Sequence, residues 1–228
     1  MQIEVCSTAA AAAERAAELI AAELRTAVDK RGRGTVALSG GRTPAVMLQN
    51  LAAAQLPWSR IHIFQVDERI VAEDDDRRNI KAILASFERC AIPAENLHPM
   101  PVSHGLAEDG LTEYLNDLRE AAGTPPCLDV VHLGLGNDGH TASLFAGDAA
   151  VVSDGEIELS EIYQGLHRMT LTLKTIDRAR QRIWLVMGSS KRDIARRFLD
   201  ADPKLVASQV RRKNSIIVLD YDAAGAQS

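Results

Sequence analysis

At 228 residues the chain is long enough to bury a substantial core without disulfide support, and Cys6, Cys90 and Cys127 lie far apart with no CxxC or CxxH spacing, which speaks against a zinc site. A net charge of -5 with 25% charged residues argues against a nucleic-acid footprint. The Ala-rich N-terminus carries Glu and Arg and lacks the basic and apolar regions of a secretory signal, and no segment approaches the roughly 20 apolar residues of a membrane span. The expectation is a cytoplasmic protein with neither a nucleic-acid nor a membrane partner.

The first element is a helix over Thr8 to Asp29, with Ala16, Leu19, Ile20, Leu24 and Val28 at helical spacing and Gly32 just beyond. TVALS (35–39) reads as a strand followed by a helix from Pro44, and IHIFQV (61–66) as a strand followed by a helix near Arg78 to Cys90. A helix near Ala107 to Ala121 precedes the run LDVVHLGL (128–135). MTLTL (169–173), RIWLVM (182–187), a helix over Ser189 to Leu199 and SIIVLD (215–220) follow. Near-continuous apolar strands alternating with helices predict an α/β fold, a doubly wound and mostly parallel sheet with helices on both faces. No repeat or linker divides the chain, so a single domain is expected, with 148–167 as its one irregular excursion.

In an open α/β sheet, ligands bind beyond the carboxyl ends of the strands. Three such ends stand out. After TVALS comes SGGRTP: Gly40 and Gly41 permit tight turning, Thr43 suits a helix cap and Pro44 its first turn, and free N–H groups there would cradle a phosphate. A plain strand-to-helix connection reads the same residues equally well. After IHIFQV comes Asp67-Glu68-Arg69, where an Arg can hold an anion and a carboxylate a sugar hydroxyl, whereas Asp74 through Arg77 reads as a solvated loop.

The third end is Gly136-Asn137-Asp138-Gly139-His140-Thr141. Glycines frame one carboxylate and one imidazole separated by a single residue, a density that packing does not explain. A neutral His140 would take a proton from water, with Asp138 the candidate for fixing its tautomer. His62, His98, His104 and His132 read as structural.

SGGRTP, DER, GLGNDGHTASLF, RMTLTL (168–173) and GSSK (188–191) together resemble, in order and approximate spacing, the 6-phosphogluconolactonase family. GxGxDGHTASLF is the most specific element, because the related glucosamine-6-phosphate isomerases carry a similar GxGxDGH and continue differently. The resemblance implies the fold of that sugar-phosphate superfamily, hydrolysis of 6-phosphoglucono-δ-lactone in the oxidative pentose phosphate pathway, and no metal or organic cofactor. It makes His140 the general base and assigns the phosphate of a small sugar-phosphate substrate to Ser39, Gly40, Gly41, Arg42 and Thr43, with Arg168 and Lys191. Arg69 and backbone N–H groups of the Gly136 to Gly139 loop become donors to the oxyanion, and Asp67, Asn79, Gly136, Asn137 and Gly139 complete the substrate-binding set.

The chain departs from the family pattern in places. Ala146 stands where the family has Pro, Arg78-Asn79 where it has Ser-Asn, and EIYQGLHR (161–168) where it has a Pro-rich approach; VASQVR (206–211) only approximates another segment. Two other readings stand beside the lactonase. An amino-sugar-phosphate isomerase or deaminase would use Asp67, Asp138 and His140 but needs a Glu that Thr141 to Phe145 lack. A non-catalytic sugar-phosphate-binding module of the regulator type would need a DNA-binding region, for which there is no room ahead of the first α/β unit. The expected assembly is a monomer or a weak homo-oligomer.

Overall fold

Strand and helix alternate almost throughout the computed structural model, which describes residues 1–41, 44–102 and 108–226. β1 (Gln2–Cys6) leads into α1 (Ala9–Arg31), β2 (Gly34–Leu38), α2 (Ala45–Ala53), β3 (Ile61–Gln65), the short β4 (Asp67–Arg69), α3 (Asn79–Phe87), β5 (Leu97–His98) and α4 (Glu108–Ala122). Then come β6 (Val130–Leu133), β7 (Ile157–Leu159), β8 (Arg168–Leu171), α5 (Leu173–Arg178), β9 (Gln181–Val186), α6 (Arg192–Leu199), β10 (Ser215–Asp220) and α7 (Tyr221–Ala224).

The ends of α1 follow from its sequence. Thr8 accepts the Ala11 N–H at 3.1 Å as N-cap, and Gly32 closes the other end in the left-handed region with its N–H on Val28 O. Its buried face is mostly Ala12, Ala13, Ala16 and Ala21 around Ile20 and Leu24, so the helix lies close to the sheet.

Seven strands form one parallel sheet in the order β1-β10-β9-β6-β2-β3-β5. Side chains alternate across it: Val131, Leu133, Trp184 and Ile217 join one core, Val130, Ile183 and Val218 the other. Winding outward from β2, the chain takes β3 and β5 to one side and β6, β9 and β10 to the other. The direction therefore switches between β2 and β6, whose carboxyl ends diverge into a crevice.

Several expectations change. MTLTL is not part of the parallel sheet: β8 is the centre of a separate antiparallel sheet, β4-β8-β7, with Asp67 opposite Thr170 and Arg69 opposite Arg168. Asp67-Glu68-Arg69 is thus itself a strand, and the 148–167 excursion supplies the third one. Val66 links the two sheets, its N–H on Leu38 O (3.1 Å) and its carbonyl accepting from Leu171 N–H (2.9 Å). The helix read from Ser189 starts at Arg192 after a 3₁₀ turn over Ser189–Lys191. α2 starts at Ala45 with Pro44 as its cap residue, whose carbonyl accepts the Leu48 N–H at 2.8 Å. Thr43, expected to cap it, and Arg42 lie outside the described residues, as does His104.

Candidate active site

A cavity of about 450 Å³ opens at the crevice between β2 and β6. The turn after β2 contributes Ser39, Gly40 and Gly41, and the cap of α2 adds Pro44. β4 and the start of α3 supply Asp67, Arg69 and Asn79, the loop after β6 supplies Gly134 to Asp138 and His140, and Lys191 enters from beyond β9. Most of the residues singled out in the sequence therefore meet in one place. Gly139, on the same loop, is buried and not among the lining residues.

The loop after β6 is built around its ionisable pair. His140 Nδ1 lies 2.5 Å from Asp138 Oδ1, which also accepts the His140 backbone N–H at 3.3 Å. Burial alone would raise the Asp138 carboxyl, yet the adjoining His140 ring and the Tyr163 hydroxyl hold it below the usual carboxylate range. An ionised Asp138 accepts a hydrogen bond from Nδ1–H, which keeps its proton there and leaves the Nε2 lone pair free. Gly136 is required here: a Cβ would come within 2.7 Å of Asp138 Oδ1 and run into the His140 ring. Its N–H donates to His140 O (2.8 Å) and the Gly139 N–H to Gly136 O (3.0 Å), so these two, named as oxyanion donors, are already engaged. The remaining backbone donors of the loop are at Asn137 and Asp138.

The tail of the motif is structural scaffolding. Thr141 Oγ1 donates to Gly134 O (2.9 Å), closing the loop, and Ser143 Oγ donates to Asp67 Oδ2 (2.5 Å). Partial burial pushes the Asp67 carboxyl up against that hydrogen bond and the nearby Arg69.

Arg69 is aimed by its surroundings: Nη1 donates to Asn79 Oδ1 at 2.6 Å and to Arg77 O at 2.8 Å. Beneath it the fully buried Glu68 accepts from the backbone N–H groups of Arg69, Asn79 and Ile80 and from Gln65 Nε2, at 2.7 to 2.9 Å, which locks β4 to the start of α3. Gly40 packs against that start, where a Cβ would sit 2.6 Å from Asn79 Cβ. Lys191 Nζ donates to Leu135 O at 2.6 Å, and burial pulls its ammonium down against the opposing pull of Asp138.

Arg168 is not brought to the cavity wall. It is buried, with its guanidinium carbon 5.2 and 5.1 Å from the ring centroids of Phe145 and Tyr163 and Nη1 donating to Tyr163 O at 3.1 Å. Three polar residues of the cavity wall had no functional role assigned in the sequence. Tyr163 and Gln164 reach the wall from the excursion, signalled only by Gln164-Gly165 as a turn. His132, read as structural, lines the cavity floor with neither ring nitrogen hydrogen-bonded among the described residues, and burial pushes it down to about 4. A polar residue inside an apolar strand was its one signal. Among the described residues no group of three or more His, Cys, Asp or Glu is arranged to hold a metal ion.

Residues 7–218 match the family described as Glucosamine-6-phosphate isomerases/6-phosphogluconolactonase. The chain belongs to this family. Within it, the chain is 37% identical to a 6-phosphogluconolactonase from Synechocystis over 210 residues, 89% of this chain and 88% of that one. It is likewise 37% identical to a 6-phosphogluconolactonase from Mycobacterium tuberculosis, covering 87% of each. Among solved structures, the 6-phosphogluconolactonase of Thermotoga maritima superposes with a TM-score of 0.86 at 28% identity, over 96% of this chain and 98% of that one. A monomeric glucosamine-6-phosphate deaminase shares the fold at a TM-score of 0.83 and 17% identity, over the full length of both proteins.

Proposed function

We propose that this protein is a cytoplasmic enzyme that hydrolyses 6-phosphoglucono-δ-lactone to 6-phosphogluconate in the oxidative pentose phosphate pathway, without metal or cofactor. The observation that carries the reading is the Asp138–His140 pair at the mouth of a cavity flanked by an anion-suited turn and Lys191. With Nδ1–H held by Asp138, Nε2 takes a proton from water as the water oxygen attacks the lactone carbonyl. The carbonyl oxygen becomes an oxyanion facing Arg69 and the N–H groups of Asn137 and Asp138. Collapse breaks the bond to the ring oxygen, which takes the proton back from the imidazolium. Ser39 to Gly41 and Lys191 hold the phosphate away from the reacting carbon, and Asp67 and Asn79 meet sugar hydroxyls, so that binding energy orients the lactone.

The deaminase reading is weaker on this geometry. Positions 141–145 carry no carboxylate, and the larger side chains among them are already committed: Thr141 to Gly134, Ser143 to Asp67, Leu144 to the core and Phe145 to a stack on Tyr163. The test is hydrolysis of freshly generated 6-phosphogluconolactone against its spontaneous background. Wild type is expected to exceed the background, and His140→Ala to lose about 10²- to 10⁴-fold of that excess. A wild-type rate equal to the background overturns the assignment; full activity in His140→Ala overturns the base.

A further inference from the structure

The segment joining β7 to β8 puts into the cavity a side chain that the mechanism above does not use. It folds back at a tight turn in which Gln164 (φ 52°) and Gly165 (φ 78°) separate Tyr163 from its bridge partner Leu166. This turn lies within EIYQGLHR, where the sequence departs from the Pro-rich family pattern. It brings the Tyr163 hydroxyl to 3.0 Å from Asp138 Oδ2, while Asp138 Oδ1 faces His140 Nδ1 at 2.5 Å. The two oxygens of one carboxylate are thus held by two different rings.

The Tyr163 ring has little freedom. It stacks on Phe145 at 3.8 Å and 10°, meets the His140 ring edge-on at 5.6 Å, and its backbone carbonyl is held by Arg168. Asp138 is the opposite case, a side chain 45% exposed on a loop. A carboxylate so placed turns readily about χ2, where its rotamer well is broad, and contacts to Oδ1 alone, from the His140 ring and the long 3.3 Å backbone N–H, leave that rotation partly open. A second, charge-assisted bond to the other oxygen closes it. Burial and the adjoining Asp138 carboxylate push the Tyr163 hydroxyl up, which keeps it a donor.

We propose that Tyr163 is a positioning residue for this site, fixing the Asp138 carboxylate in the orientation from which it directs the Nε2 lone pair of His140. The proposal rests on His140 being the base. It also gives the departure at 161–168 a function, since the turn that displaces the Pro-rich approach is what delivers the phenol.

Tyr163→Phe keeps the ring and its stack and removes only the hydroxyl. The expected result is a fall in kcat on the order of 10-fold with KM within about twofold. In an Asp138→Asn background the same substitution is expected to change kcat by less than about twofold, because its effect runs through that carboxylate. Unchanged kcat in Tyr163→Phe, or an equal loss in both backgrounds, overturns the proposal. A readout independent of turnover is the downfield proton resonance of His140 Nδ1, expected to move in Tyr163→Phe; an unmoved resonance also overturns it. If wild type adds nothing to lactone hydrolysis, the functional reading fails, and the resonance alone decides whether Tyr163 holds Asp138.

Discussion

Two aspartates stand at opposite ends of the parallel sheet, and their surroundings differ in kind. Asp129, just before β6, is buried at the amino end, where Oδ2 accepts the Thr35 N–H (2.9 Å) and hydroxyl (3.1 Å) and Oδ1 meets Arg31 (2.6 Å) and Arg180 (3.2 Å). Asp67, just beyond β3, is half-buried at the carboxyl end, and among the described residues its carboxylate accepts one hydrogen bond, from Ser143. One end of the sheet saturates its polar groups with protein partners; the other leaves bonding capacity facing a cavity. Polarity near a strand end is therefore not itself a mark of function. What marks it is a polar group whose remaining bonding capacity faces a cavity.

That contrast is open to measurement. The largest effect is expected at the saturated end: Asp129→Ala strips the Thr35 N–H and two arginines of their acceptor and should cost about 3 kcal/mol, the lower part of the range for a broken buried pair because both arginines are partly exposed. Urea unfolding reads it, and turnover per folded molecule should stay as in wild type. A stability loss below about 1 kcal/mol would mean that the network is ornamental.

Next is His132 on the cavity floor. Its folded-state value of about 4 lies below the 6.5 of an unfolded histidine, so the unfolded state binds the extra proton first. Stability tied to this residue is therefore present above pH 6.5 and is lost as pH falls toward 4, by roughly 2–3 kcal/mol. His62 and His98, also pushed down by burial, act in the same direction. The His132 share is the difference in pH slope between wild type and His132→Gln; equal slopes would remove it.

The smallest effect, and the one of opposite sign, belongs to Asp67. Burial raises its carboxyl, so ionising it in the folded state costs free energy, and stability tied to it is lost as pH rises through the folded value. Asp67→Asn should therefore leave the protein equally stable or about 1 kcal/mol more stable at pH 7 while lowering kcat/KM for the lactone. Destabilisation comparable to Asp129→Ala would erase the distinction between the two ends.

The sequence was informative where one strand explains itself. β2, β6, β9 and β10 are almost wholly buried, and their apolar runs could be read directly. β1 mixes exposed and half-buried positions at an edge, and β5 is two residues long, so neither rises above a loop in pattern. MTLTL has a strand's composition, but which sheet it joins is decided by its pairing with residues near 67 and 158, which no local window contains. The site was legible as strand-end loops for the same reason that β2 and β6 were. Tyr163 and His132 were not, because the first depends on where an irregular segment folds back and the second on which face of a strand a crevice opens.

The seam on which the site is built joins β2 to β6 through contacts spanning 93 and 94 residues, from Ser39 to His132 and from Thr35 to Asp129. Closing so long a loop is slow and entropically costly. During synthesis, at about 5–20 residues per second, the turn after β2 leaves the ribosome several seconds before His140, which lines the same cavity, exists. The nascent polypeptide therefore stays chemically silent until its second half arrives and the seam closes.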